Sequence, residues 1–196
     1  MQRPYIVGLG GTTRIGSSTE KALALALKAA AAQGADTLLL CGADLDLPAY
    51  APDAAATAKA RRIATELSRA DGIILGTPGY HGGISGLVKN ALDYTEDLRG
   101  DKRPYLAGRP VGCLVTAAGE QGAVTTLGAL RSVVHALRGW PTPLGVTIIT
   151  SDPVFDAAGN CLSPRVEGQL RILSQQVLDF ARLQREPAGA PIAACG

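Results

Sequence analysis

The chain has 196 residues, 46% of them hydrophobic, 18% charged and 4% aromatic, with 24 glycines, 12 prolines and a formal net charge of +2. Such a length and apolar share can bury a full core, which excludes a disordered chain or a miniature scaffold that needs disulfide or metal staples. The balanced charge, with no Lys/Arg run, speaks against a nucleic-acid or membrane-surface binder. Four widely separated cysteines (Cys41, Cys113, Cys161 and Cys195) and two histidines, His81 and His135, give no zinc-ligand spacing. There is no run of about 18 apolar residues, and no basic leader with an apolar stretch after it. A reduced, soluble, cytoplasmic protein is expected.

In chain order, Tyr5 to Leu9 is a short apolar run ending in glycines, and Ser17 to Glu20 opens a helix that carries Leu23, Leu27 and Ala30 at helical spacing and stops near Gly34. Ser17 with glutamate three residues later is a capping-box pattern. Thr37 to Cys41 reads as a second strand. A Pro/Ala/Asp-rich connection from Gly42 to Ala56 follows, then a helix with Ile63 and Leu67, then a strand at Gly72–Gly76. The unit repeats with a helix from Ser85 to Leu98, a strand from Val111 to Ala117, a helix from Gly122 to Arg138 and a strand from Leu144 to Ile149. A last helix begins at Ser163-Pro164 and sets Val166, Leu170, Leu173, Val177 and Phe180 on one face. Strands that are apolar throughout, alternating with helices, predict a parallel sheet covered on both faces. The expected fold is a three-layer α/β/α sandwich with five strands in the flavodoxin-like order 2-1-3-4-5. Residues 1–185 form the domain and 186–196 a C-terminal tail.

In that winding the ligand crevice lies beyond the carboxyl ends of strands 1 and 3, where the order reverses. Three loops therefore matter. The first, Gly10 to Thr19, offers glycine amides, the hydroxyls of Thr12, Ser17, Ser18 and Thr19, the charge of Arg14 and a helix N-terminus, which together suit a phosphate. A plain turn with a helix cap uses the same residue types. No lysine follows Gly16, so this is not a P-loop, and the GxGxxG fingerprint fails at Thr13. The second loop, Thr77 to Gly86, combines four glycines, a proline, Tyr80 and His81, a surface against which a planar ring can lie. The third, Ala117 to Gly122, places Gly119 and Glu120 before a helix.

The motifs Gly11-Thr12-Thr13-Arg14 to Thr19, Pro78-Gly79-Tyr80-His81-Gly82 and Gly86-Leu87-Val88-Lys89-Asn90-Ala91-Leu92-Asp93-Tyr94 resemble those of the NADPH-dependent FMN reductase family, over about residues 4 to 150. The resemblance implies FMN as cofactor and NADPH or NADH as co-substrate. It places Thr12, Arg14, Ser17, Ser18 and Thr19 on the phosphate, and Pro78, Gly79, Tyr80, His81 and Gly82 along the ribityl chain and ring edge. Ala118, Gly119 and Glu120 would approach the other edge. Gly79 stands where relatives carry an acidic or polar residue, and its lack of a side chain is expected to open the ring. The implied activity is hydride transfer from NAD(P)H through FMN to free flavin, a quinone or an azo compound, in ping-pong order, with reduced flavin passed in some relatives to a partner monooxygenase. No protein residue need be catalytic, because the flavin carries the chemistry. A noncatalytic flavodoxin-like electron carrier is the main alternative, and a scaffold that lost its cofactor a third. Apolar residues on more than one stripe of the Ser85–Leu98 helix, with Lys89, Asn90 and Asp93 alongside, suggest burial against a second copy, as a homodimer or dimer of dimers. Trp140 and Tyr105 could serve the core, an interface or the site wall.

Overall fold

The computed structural model describes residues 3–185; the 186–196 tail and Cys195 lie outside the described residues. The strands are β1 (Tyr5–Gly10), β2 (Asp36–Leu40), β3 (Gly72–Tyr80), β4 (Gly83–Ile84), β5 (Pro110–Ala117) and β6 (Trp140–Ile149). The helices are α1 (Ser18–Ala31), α2 (Ala58–Arg69), α3 (Gly86–Asp93), α4 (Glu120–Ala136) and α5 (Pro164–Arg185). Five strands pair in parallel in the order β2-β1-β3-β5-β6, which is the expected winding. The sixth, β4, was not anticipated: it adds two residues antiparallel to the end of β3, pairing Gly79 with Ile84 and Tyr80 with Gly83.

Alternate residues of each central strand feed two cores. Val7, Leu9, Ile73, Leu75, Val111 and Val115 pack under α2, α3 and α4 with Ile63, Leu67, Val88, Leu92, Leu130 and Val134. Ile6, Ile74, Leu114, Val146 and Ile148 pack under α1 and α5 with Leu23, Leu27, Leu170, Leu173 and Val177. Each buried aliphatic side chain contributes about 1.5–3 kcal/mol, so two filled faces stabilise the sheet without any crosslink. Helices α1 and α5 sit close because strand glycines lie beneath their leucines. A Cβ at Gly8 would come within 2.7 Å of Leu27, one at Gly76 within 2.9 Å of Leu23, and one at Gly112 within 2.8 Å of Leu173.

The stripes on the Ser85–Leu98 segment have an internal explanation. After Asp93 the α-helix tightens into a 3₁₀ turn over Tyr94–Leu98, and the combined segment buries Val88, Ala91, Leu92, Tyr94, Thr95 and Leu98 inside this chain. Asn90 accepts from Tyr50 N at 2.8 Å and donates to Pro48 O at 2.8 Å, and Tyr94 Oη donates to Pro48 O at 3.1 Å, so both hold the connection after β2. Lys89 pairs with Asp93 one turn on, at 2.5 Å. Trp140, 58% exposed, stacks on Phe180 at the start of β6, and Tyr105 lies under the Arg138 guanidinium. Both sit at the opposite end of the sheet from the carboxyl ends of the strands, so neither walls the crevice. Among the described residues no helix is long and apolar enough to cross a membrane, and no group of three or more His, Cys, Asp or Glu could hold a metal ion.

Candidate functional site

The first loop leaves β1 through a backbone crossing that only glycine permits. Gly10 has φ +145 and Gly11 φ +108, Gly11 N donates to Gly76 O at 3.1 Å, and a Cβ on Gly10 would lie 1.7 Å from that same oxygen. Thr12 Oγ1 then accepts from Arg14 N at 3.1 Å, a short turn that presents the Arg14 side chain. Arg14 is exposed and makes no ion pair among the described residues. Ser17, 2% exposed, is the N-cap of α1, and its hydroxyl oxygen accepts from Glu20 N at 3.3 Å. The capping box is shifted by one residue: the Glu20 carboxylate accepts from Gly16 N at 2.9 Å rather than from the cap residue itself. The amides of Ser18 and Thr19 carry no hydrogen bond among the described residues, as the first amides of a helix do unless something external accepts from them.

Thr19 needs a correction. Its side chain is 1% exposed, and its hydroxyl shares a 2.6 Å hydrogen bond with Thr116 Oγ1 on β5. The hydroxyl therefore points into the α1–β5 interior, and Thr19 offers a ligand only its N–H. That bond also ties the start of α1 to the strand that leads into the third loop.

The second loop is less a loop than the continuation of β3. Thr77 and Pro78 are buried in the strand, where Thr77 Oγ1 accepts from Ser85 N at 3.0 Å. The chain reverses at His81 (φ +51) and Gly82 (φ +80), a two-residue turn with both residues left-handed, the type I′ geometry that matches strand twist. Tyr80 (56% exposed) and His81 stand at the tip of this hairpin. The expected reason for Gly79 is also corrected. A Cβ there would meet Thr126 Oγ1 at 2.9 Å and the Ala117 Cβ at 3.2 Å, so position 79 faces α4, and glycine lets the hairpin close on that helix.

The third loop shortens to Ala118 and Gly119, because α4 begins at Glu120. Gly119 is the N-cap and supplies no side-chain acceptor, so the amides of Glu120, Gln121 and Gly122 stay open at a second helix N-terminus. Ala118, Gly119 and Glu120 are all exposed. The carboxyl ends of β1, β3 and β5 thus bring together two open helix N-termini, one unpaired arginine and a flat, glycine-lined strand end. Two hollows of 470 and 480 Å³ flank the outer side of α1. Mixed charges line them (Lys28, Glu167, Arg171 and Lys21), and they belong to the helix surface rather than to this crevice.

These elements coincide with what is similar elsewhere. The model of the family described as NADPH-dependent FMN reductase matches residues 4–153, which include β1 to β6 and all three loops. The chain belongs to this family. The family's description names FMN and NADPH as its two redox molecules. An "FMN-dependent NADPH-azoreductase" of Staphylococcus aureus (strain USA300) is 34% identical over 116 residues, which is 57% of this chain and 56% of that protein. The matched region is therefore only about half the length of that relative. Among solved structures, a flavoenzyme NAD(P)H:(acceptor) oxidoreductase from Paracoccus denitrificans superposes with a TM-score of 0.77 at 21% identity, over 92% of this chain and 98% of that one. An NADH:FMN oxidoreductase in its apo form gives 0.67 at 21% identity, over 94% and 92%. At these identities the likeness establishes the flavodoxin-like fold.

Two other charged or nucleophilic groups stand near but outside the crevice. Cys41 ends β2 beside Gly11; burial and then the charges of Glu20 and Asp44 push its thiol up to about 11. Cys113 is buried within β5, and burial pushes it up to about 12. Both thiols are held neutral, which fits small core residues rather than nucleophiles.

Proposed function

We propose that the protein is an FMN-dependent NAD(P)H oxidoreductase whose flavin phosphate sits on the first loop and whose ring lies along the β3 hairpin and the start of α4. The observation that carries this reading is the unpaired Arg14 beside the amides of Ser18 and Thr19, which no group among the described residues occupies. The residues fit FMN: Gly10 and Gly11 leave backbone rather than side chain at the floor, and the hairpin presents Pro78 to Gly82 as a flat edge. Bound there, FMN supplies two-electron hydride chemistry between NAD(P)H and an acceptor.

The chain's own contribution is to bind and orient. Arg14, the Ser17 hydroxyl and the α1 amides would hold the phosphate. Tyr80 and His81 would border the ring, and the open α4 amides would stabilise negative charge on it. With Tyr80, Val124 and Ile15 exposed around it and only one tryptophan, five tyrosines and two phenylalanines in the chain, the outer side is left for one flat molecule at a time. This supports a ping-pong order in which NAD(P)H leaves before a quinone, an azo compound or free flavin enters. The azo compound is favoured by the name of the Staphylococcus relative. Passing reduced flavin to a partner monooxygenase is the same chemistry with free flavin as acceptor.

The near-neutral charge and few aromatics favour an enzyme over an electron carrier. A visible spectrum of purified protein, with NADPH and NADH oxidation measured against FMN, quinone and azo-dye acceptors, tests the reading. Parallel double-reciprocal lines are expected. Failure to bind added FMN overturns it, and FMN binding without NAD(P)H oxidation makes the protein a carrier. Self-association as a homodimer or dimer of dimers is proposed through the strand-end face with Ile15, Tyr80 and Val124, since the α3 stripes are used internally. Sedimentation at micromolar concentration with FMN bound is expected to show more than a monomer.

A further inference from the structure

The phosphate loop already holds a negative charge of its own. Glu20 Oε2 accepts from Gly16 N at 2.9 Å, so one of the amides that curl around the first loop is occupied by a carboxylate. This carboxylate has no cationic partner among the described residues. Lys21, next to it, gives its ammonium to Asp156 O at 2.8 Å, Asp44 behind it is paired with Arg62 at 2.9 Å, and Arg14 in the same loop does not reach it. Cys41, the group that faces Glu20 from the end of β2, is a neutral thiol. Glu20 is half-buried, its own backbone N–H donates to Ser17 Oγ at 3.3 Å at the start of α1, and the bond from Gly16 N is what holds its carboxylate on the loop.

We infer that Glu20 is an internal counter-anion that competes with the flavin phosphate for the first loop and sets how readily FMN leaves. The inference rests on the placement of the phosphate given under "Proposed function". Two anions sharing one set of amides repel, and a dianionic phosphate entering beside a fixed carboxylate must either displace it from Gly16 N or bind against its field. The loop gains order when empty, because a glycine-rich segment with three left-handed residues keeps one amide satisfied. The cost falls on the ligand. A reductase that releases reduced flavin requires such a compromise, whereas one that retains its flavin does not. Glu20 is thus a positioning residue that tunes affinity for the phosphate and has no direct part in the redox step.

Glu20→Gln tests this, since the amide oxygen still accepts from Gly16 N but the charge is gone. In titrations of the apoprotein followed by flavin fluorescence, FMN is expected to bind about three- to tenfold more tightly to Glu20→Gln, and riboflavin, which lacks the phosphate, with unchanged affinity. Unchanged or weaker FMN binding, or equal tightening of FMN and riboflavin, overturns the inference. A second readout uses the unaltered protein: the Gly16 amide proton is expected to shift in NMR spectra on adding FMN but not on adding riboflavin, and an unmoved Gly16 signal overturns the inference. Arg14→Ala in the same titrations separates the two layers. If it does not weaken FMN binding, the phosphate is not on this loop and both readings fall. If it weakens FMN while Glu20→Gln has no effect, only the inference about Glu20 falls.

Discussion

Arg14 and Thr19 lie five residues apart and play opposite parts. Arg14 presents an exposed guanidinium on a turn made by Thr12, whereas Thr19 gives its hydroxyl to Thr116 in the interior. A hydrogen bond to a charged group contributes about 1.5–3 kcal/mol, so Arg14→Ala is expected to weaken FMN binding about 10- to 150-fold, measured by fluorescence titration. Thr19→Val should barely change that affinity. It strands the Thr116 hydroxyl in a buried site and is expected to lower stability by about 1–3 kcal/mol in urea unfolding. The exposed place of Arg14 on the first loop was legible in the sequence, because a lone cation among glycines and hydroxyls ahead of a helix cap has no core to enter. The role of Thr19 was not, because its partner is 97 residues away and helical spacing alone does not say which strand a first-turn side chain will meet.

Elements show the same division between local and distant causes. Helix starts were legible where a side chain caps the backbone, as at Ser17 of α1 and at Ser163, whose Oγ accepts from Val166 N before α5. The end of β3 was not, because Thr77-Pro78-Gly79-Tyr80 reads as a loop by composition. Only its pairing with β5 through Pro78 and with β4 through Gly79 and Tyr80 keeps it extended. The two-residue turn that follows makes a specific demand, since His81 is left-handed without being glycine or asparagine. Replacing it with asparagine, which tolerates that conformation better, is expected to stabilise the protein by about 0.5–1 kcal/mol in thermal or urea unfolding. If His81 borders the flavin ring, the same variant loses FMN affinity or turnover while it gains stability. The two-stripe apolar pattern on α3 was legible as burial, but not as burial within the same chain. The 3₁₀ turn after Asp93 rotates the second stripe onto a different internal neighbour, and periodicity counted as one straight helix does not see that rotation.

At the scale of the molecule, the sheet order followed from element alternation, whereas the lower end of the sheet held a residue that composition does not flag. Arg109 is fully buried, and its hydrogen bonds go to carbonyls: it donates to Ala70 O, Tyr105 O, Ala107 O and Ser68 O. Burial, and then the charge of Arg103, pull it down to about 10. It joins the end of α2 to the segment before β5 and so fixes the two layers that meet beneath β3. Arg109→Met leaves those carbonyls without donors and is expected to cost at least about 3 kcal/mol in urea unfolding, with FMN affinity of the remaining folded protein unchanged because the crevice lies at the other end.

The floor of that crevice is main chain. Gly11 N donates to Gly76 O there, and any side chain added at Gly10 would collide with Gly76. On the proposed function, a floor without side chains puts substrate range on the rim, in residues such as Ile15, Tyr80, Glu120 and Val124 that stand clear of the core. On that reading, acceptors would change through a few surface substitutions while the cradle beneath stays fixed. A library confined to those four positions would search for new acceptors without putting the fold at risk.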